Sequence, residues 1–170
     1  LMLISAELVL IFGSPKYREA VYVIPPVAAS VFFIFIYNIL SMPQFYYEKT
    51  QFLMAASMAA AGANVVLNFI FIRLFGYIAA GYTTLACYML YSVGHYIVSK
   101  RILVNEGIQE NLMSPGFLVA CSVFLIGASI ICNLIFPYRI LRYAILLASA
   151  GLVFWKKELL LKTMADIRKK

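Results

Sequence analysis

The stretch AVYVIPPVAASVFFIFIYNILSMPQFYY, residues 20–47, runs for 28 residues between Glu19 and Glu48 without a charge. A helix needs about 20 apolar residues to cross roughly 30 Å of hydrocarbon, so this run alone is long enough to span a bilayer. Uncharged runs recur at 50–72, 74–99 and 111–138. Composition agrees, with 64% hydrophobic and 12% charged residues, where soluble domains carry about 25% charged. The chain therefore reads as all-α, a polytopic helical membrane protein.

Five spans are expected, at 19–41, 51–72, 76–98, 115–136 and 138–155. Ahead of them, Leu1 to Phe12 would rise only about 18 Å as a helix and has no basic leader or cleavage signal. Residues 1–18 are thus expected to be the end of a truncated transmembrane helix and an outer loop, and the chain the C-terminal part of a longer protein. The first three spans make a core at 19–98, followed by a cytoplasmic loop at 99–114, a final hairpin at 115–155 and a basic tail at 156–170. The last span has only 13 uncharged residues, Tyr143 to Trp155, so Arg139 and Arg142 must snorkel or face protein. The tail, with Leu159 to Leu161 among lysines, is expected to lie along the inner surface or to be solvated.

Five spans alternate the loops between two sides. One side collects Lys16, Arg18, Arg73, Arg139 and Arg142, and the other the remaining nine of the 14 basic residues, among them Lys49, Lys100 and the tail. The positive-inside rule places the richer side, and with it the C-terminus, in the cytoplasm. The net charge of +7 is then a topology signal and a contact with anionic membrane lipids. It is not a nucleic-acid signature, since no basic stripe with interleaved aromatics lies outside the spans. Tyr46, Tyr47, Tyr96 and Trp155 fall at inner ends, and Tyr17, Tyr77 and Tyr138 at outer ends, as interfacial anchors do.

Catalysis finds little support. The chain has seven acidic residues and one His, with no paired carboxylates, metal-ligand cluster, nucleophile elbow or phosphate-cradling loop. Cys87, Cys121 and Cys132 form no CxxC and read as buried thiols. No cofactor or metal is expected.

Inside the spans, AASMAAAGAN (55–64) packs small residues at helical spacing. Small residues let backbones approach, which predicts a central helix walled in by protein, where Ala59→Leu or Ala63→Leu would overpack. Asn64 and Asn68 lie one turn apart. In hydrocarbon each amide must bond another helix or line a hydrated path, so both are substrate-path candidates. Glu7 is a further one, as an intramembrane carboxylate or a hydrated residue near the outer interface. Lone His95, near Lys100 and Arg101, is an interfacial residue or a proton relay. Pro25 and Pro26 either bend a helix in its outer third or mark its first turn.

From Asn64 to Leu85 the chain reads NVVLNFIFIRLFGYIAAGYTTL. This resembles the polysaccharide flippases of the MATE-like superfamily, in which an Asn-x-x-x-Asn-like span end is followed by a Phe-Gly turn, here Phe75 and Gly76, and a small-residue run, here Ala79, Ala80, Gly81, Thr83 and Thr84. SAELVLIFGSPKYREAVYVIPPVAAS (5–30) and YYEKTQF (46–52) look like that family's outer turn and short cytoplasmic turn. Ala79 stands where the pattern often has Gly, and Thr83 where it often has Ala.

The resemblance covers about residues 1–100. It implies the C-terminal lobe of a two-lobe transporter that flips undecaprenyl-diphosphate-linked oligosaccharide across a bacterial inner membrane by alternating access. Its partners would be that lipid-linked substrate, membrane lipids, a missing N-terminal lobe and a coupling cation or proton. Pro25, Pro26, Gly76 and Gly81 would serve hinges and close packing. A drug or cation antiporter of the same superfamily, and a membrane-embedded polymerase or acyltransferase, are the alternatives.

Overall fold

The structure, a computed structural model, describes residues 4–12, 15–108 and 113–155. Every element among them is helical: α1 (Ser5–Phe12), a 3₁₀ segment (Pro15–Tyr22), α2 (Ile24–Tyr46), α3 (Thr50–Phe75), α4 (Ala79–Asn105), α5 (Pro115–Ile135) and α6 (Arg139–Trp155). The expectations for the tail at 156–170 lie outside the described residues. The chain forms two units, 1–133 and 134–170.

Among the described residues three helices are long and apolar enough to cross a membrane: α2 with its 3₁₀ approach, Glu19–Tyr46, then Thr50–Phe75 and Pro115–Ile135. This makes the molecule an all-helical membrane protein, with fewer unambiguous spans than five. Helix α4 has 27 residues, about 40 Å of rise, but its Tyr, Ser, Thr and His residues lower its hydropathy. Helix α6 has 17 residues, about 25 Å, which is short of the hydrocarbon thickness.

Local chemistry explains the helix ends. Pro25 and Pro26 occupy the first turn of α2, where a missing N–H costs nothing because the helix has no acceptor for it; the preceding residues turn as a 3₁₀ helix instead. Further along, Pro43 sits inside α2, near its end. Helix α3 stops at Gly76, whose φ of 77° suits a residue without Cβ and whose N–H bonds the Ile72 carbonyl at 2.9 Å. The chain then reverses within three residues into α4, making α3 and α4 an antiparallel hairpin.

The first unit is organised around α2. It packs along α4, with Ala29 and Phe33 meeting Leu85, and Ile36 and Leu40 meeting Leu118 of α5. Helix α3 leans on α4 by one edge, and none of its residues is buried. This corrects the expectation of a walled-in central helix at 51–72. The small residues of α3 allow close approach to α4, but the rest of the α3 surface has no cover among the described residues, and the central position belongs to α2.

In the second unit Arg142 is 4% exposed, its guanidinium 5.7 Å from the Phe136 ring centroid and 5.4 Å from that of Tyr143. Arg139 is exposed. The two arginines therefore differ in surroundings, and Arg142 takes the protein-facing course.

Candidate functional site

The α3–α4 hairpin has two unlike sides. On one, a cavity of about 520 Å³ opens between α3, α4 and α2, lined by Tyr37, Ser57, Asn64, Thr84, Tyr88 and Tyr91 among others. The Tyr37 ring lies 4.6 Å from Tyr91 and 6.4 Å from Tyr88, stacked on the latter at 10°. The Tyr91 hydroxyl meets Ser57 Oγ at 2.6 Å, tying α4 to α3 beside the cavity.

The opposite side is apolar. A trough of about 480 Å³ runs between Leu67, Phe71 and Phe75 of α3 and Tyr82 and Ala86 of α4. A second hollow of about 260 Å³ is bordered by Ala56, Ala59, Ala63, Leu90 and Gly94. That hollow and the polar cavity share Ala60, Cys87 and Tyr91, the residues along the line where the two helices touch. One helix pair thus presents hydroxyls, an amide and aromatic faces to one side and alkyl and aryl surface to the other.

The two asparagines are joined. Asn68 Nδ2 donates to Asn64 Oδ1 at 2.9 Å, and the Thr83 hydroxyl reaches Asn68 Oδ1 at 2.5 Å and the Ala80 carbonyl at 3.0 Å. Asn68 is therefore the link from α3 to α4, and Asn64, one turn nearer the middle of the helix, is the member that lines the cavity. Glu7 lies in the first turn of α1, which packs on the 3₁₀ segment; it does not line the cavity. Gly81 meets Pro26 and Val23 at the α2–α4 contact, while Gly76 terminates α3.

The sequence points to His95 as an interfacial residue or a proton relay, and the structure buries it instead between α2 and α4, bonded to Gln44, which no pattern singles out. The cavity tyrosines were equally inconspicuous. Their signal was the low hydropathy of the third expected span, since Tyr82, Tyr88 and Tyr91 with Thr83, Thr84 and Ser92 put hydroxyls where a lipid-facing helix would carry Leu. Asn133 also bridges helices, donating to the Tyr82 hydroxyl at 2.7 Å and to the Tyr22 carbonyl at 3.2 Å. Cys87 is buried, Cys121 and Cys132 are half-buried, and all three are unbridged. Among the described residues no His, Cys, Asp and Glu cluster could hold a metal ion.

Comparison with family models, with curated proteins and with solved structures gives no match.

Proposed function

We propose that this chain is one lobe of a MATE-like transporter that moves a lipid-linked oligosaccharide across a bacterial inner membrane. The observation that supports the reading is the two-sided α3–α4 hairpin. Flat tyrosine faces suit the C–H faces of sugar rings, while Asn64, Ser57 and Thr84 offer amide and hydroxyl partners to sugar hydroxyls. The apolar trough behind them suits a hydrocarbon tail. An amphipathic molecule could keep both halves in matching surroundings while repeat lobes rock about it. No carboxylate among the described residues lines the cavity, which favours an uncharged glycan over the organic cations of the antiporter alternative.

The test is polysaccharide export in a flippase-null bacterial strain carrying the full-length protein, normalised to folded protein. Tyr88→Ala should reduce export per folded molecule at least several-fold. Normal export by Tyr88→Ala and Asn64→Ala together would remove the cavity from the transport path.

A further inference from the structure

At the end of α4 away from the Gly76 turn, a polar cluster is sealed between α2 and α4. Gln44 is 0% exposed, His95 1% and Ser99 0%. Gln44 Nε2 lies 2.9 Å from His95 Nδ1 and donates to Ser99 Oγ at 3.0 Å, and the Ser99 hydroxyl donates to the Leu40 carbonyl. That last bond fixes the rest. With its proton committed to Leu40, Ser99 can only accept, so Gln44 must turn its NH₂ toward Ser99 and His95. Nδ1 is then an acceptor, and the imidazole is neutral with its proton on Nε2.

Two atoms of this cluster, Gln44 Oε1 and His95 Nε2, are buried without a hydrogen-bond partner among the described residues. Such an arrangement is costly unless the remaining bonds hold it. It also has no slack. A proton added to Nδ1 would face the Gln44 NH₂, donor against donor. Relief requires the amide to rotate and present Oε1, which then competes with the Leu40 carbonyl for the Ser99 hydroxyl and leaves one of them unsatisfied.

Among the described residues no acidic side chain faces the imidazole to offset the charge. Its neighbours are the Tyr37 ring from α2, at 5.7 Å, and Tyr91 on its own helix, at 4.4 Å. Helix α3 carries no ionisable side chain between Lys49 and Arg73, and α5 carries only Cys121 and Cys132. Glu48, Lys49, Lys100, Arg101 and Glu106 are exposed.

We propose that His95 Nδ1 is a proton-binding site whose occupancy unlatches α2 from α4 at this end of the bundle. The sign follows from the bonding: the latch holds while the imidazole is neutral and is lost as pH falls through the range in which imidazole takes a proton. Because Tyr37 and Tyr91 pack on His95 and also line the polar cavity, release of the latch alters one wall of that cavity. The inference does not depend on what the cavity binds.

The experiment is hydrogen–deuterium exchange of the full-length protein in detergent over a series from about pH 8 down to about pH 4.5, which covers the ordinary imidazole titration and extends below it. Peptides covering 40–47 and 95–102 are compared with peptides from 79–90 of the same sample, which removes the intrinsic pH dependence of exchange. In the wild type the latch peptides should exchange roughly tenfold faster, relative to the reference, at the acid end of the series, as expected for losing one buried polar contact. His95→Asn keeps an acceptor near the Nδ1 position and cannot take the proton, and Gln44→Glu supplies an acceptor that suits a protonated ring. Both should abolish the acceleration. If one variant does not fold, the other decides. Wild-type peptides without acceleration, or acceleration persisting in a folded variant, would overturn the proposal.

Discussion

Gly81 of α4 approaches Pro26 of α2 so closely that a Cβ built on it would lie 2.8 Å from Pro26 Cγ and 2.9 Å from the Val23 carbonyl oxygen. The backbone oxygen cannot yield as a flexible side chain could, so the helices would have to separate at this contact. Gly81→Ala should therefore destabilise by about 1–3 kcal/mol, as overpacking does, despite the gain of about 1 kcal/mol in helix propensity. Gly62→Ala is the control. A Cβ there meets nothing within 4 Å, so only the propensity gain remains and the detergent melting temperature should hold or rise. Equal melting of the two variants would contradict the close contact.

Asn68 and Asn64 should separate into a brace and a cavity residue. Asn68→Ala removes the acceptor of Thr83 and the donor to Asn64, and should lower stability by about 1 kcal/mol, the scale of interhelical hydrogen bonds in membranes. Export per folded molecule should stay unchanged. Asn64→Ala keeps the Asn68–Thr83 link, so its melting temperature should stay near wild type while export falls. A lowered melting temperature with unimpaired normalised export by Asn64→Ala would leave both residues structural.

How far the sequence carried can be followed through particular residues. Charge-free runs mark the helices well, because hydrocarbon excludes ionised groups whatever the tertiary contacts. Pro25 is ambiguous in sequence, since one residue type serves both a kink and a first turn, and only the 3₁₀ geometry of Pro15–Tyr22 chooses between them. The alanines of α3 mislead for a related reason: small side chains permit close packing but do not say how many sides are packed. The cluster of Gln44 and His95 was invisible because its members stand 51 residues apart, and a single Gln at a helix end carries no pattern of its own.

The hairpin also fixes relative sidedness. Lys49 caps the start of α3 and Lys100 lies near the end of α4, while Arg73 sits beside the reversal at Gly76. In a background with Cys87, Cys121 and Cys132 replaced, cysteines at Lys49 and Lys100 should therefore share one reactivity toward an impermeant thiol reagent, and a cysteine at Arg73 the opposite one. The nine-to-five distribution of basic residues predicts a cytoplasmic Lys100 side, in which case only Arg73→Cys should label in intact cells. Labelling of Lys100→Cys with protection of Arg73→Cys would reverse the orientation without touching the fold.

The exposed surface of α3 reverses what the alanine pattern alone suggests. Ala59 and Ala63 border the hollow of about 260 Å³ beside Leu90 and Gly94, and Ala59 is exposed. A leucine at 59 adds three carbons, and a hollow of this size accepts them without displacing backbone, which cannot be said of a Cβ at Gly81. Filling apolar space adds dispersion contacts rather than strain, so Ala59→Leu should leave the melting temperature unchanged or slightly higher. Overpacking would instead cost about 1–3 kcal/mol. The decisive comparison is the detergent melting curve of Ala59→Leu beside that of Gly81→Ala in the same full-length protein. A loss at Ala59 as large as that at Gly81 would mean that another surface already fills the hollow and that α3 is packed on more sides than the one facing α4.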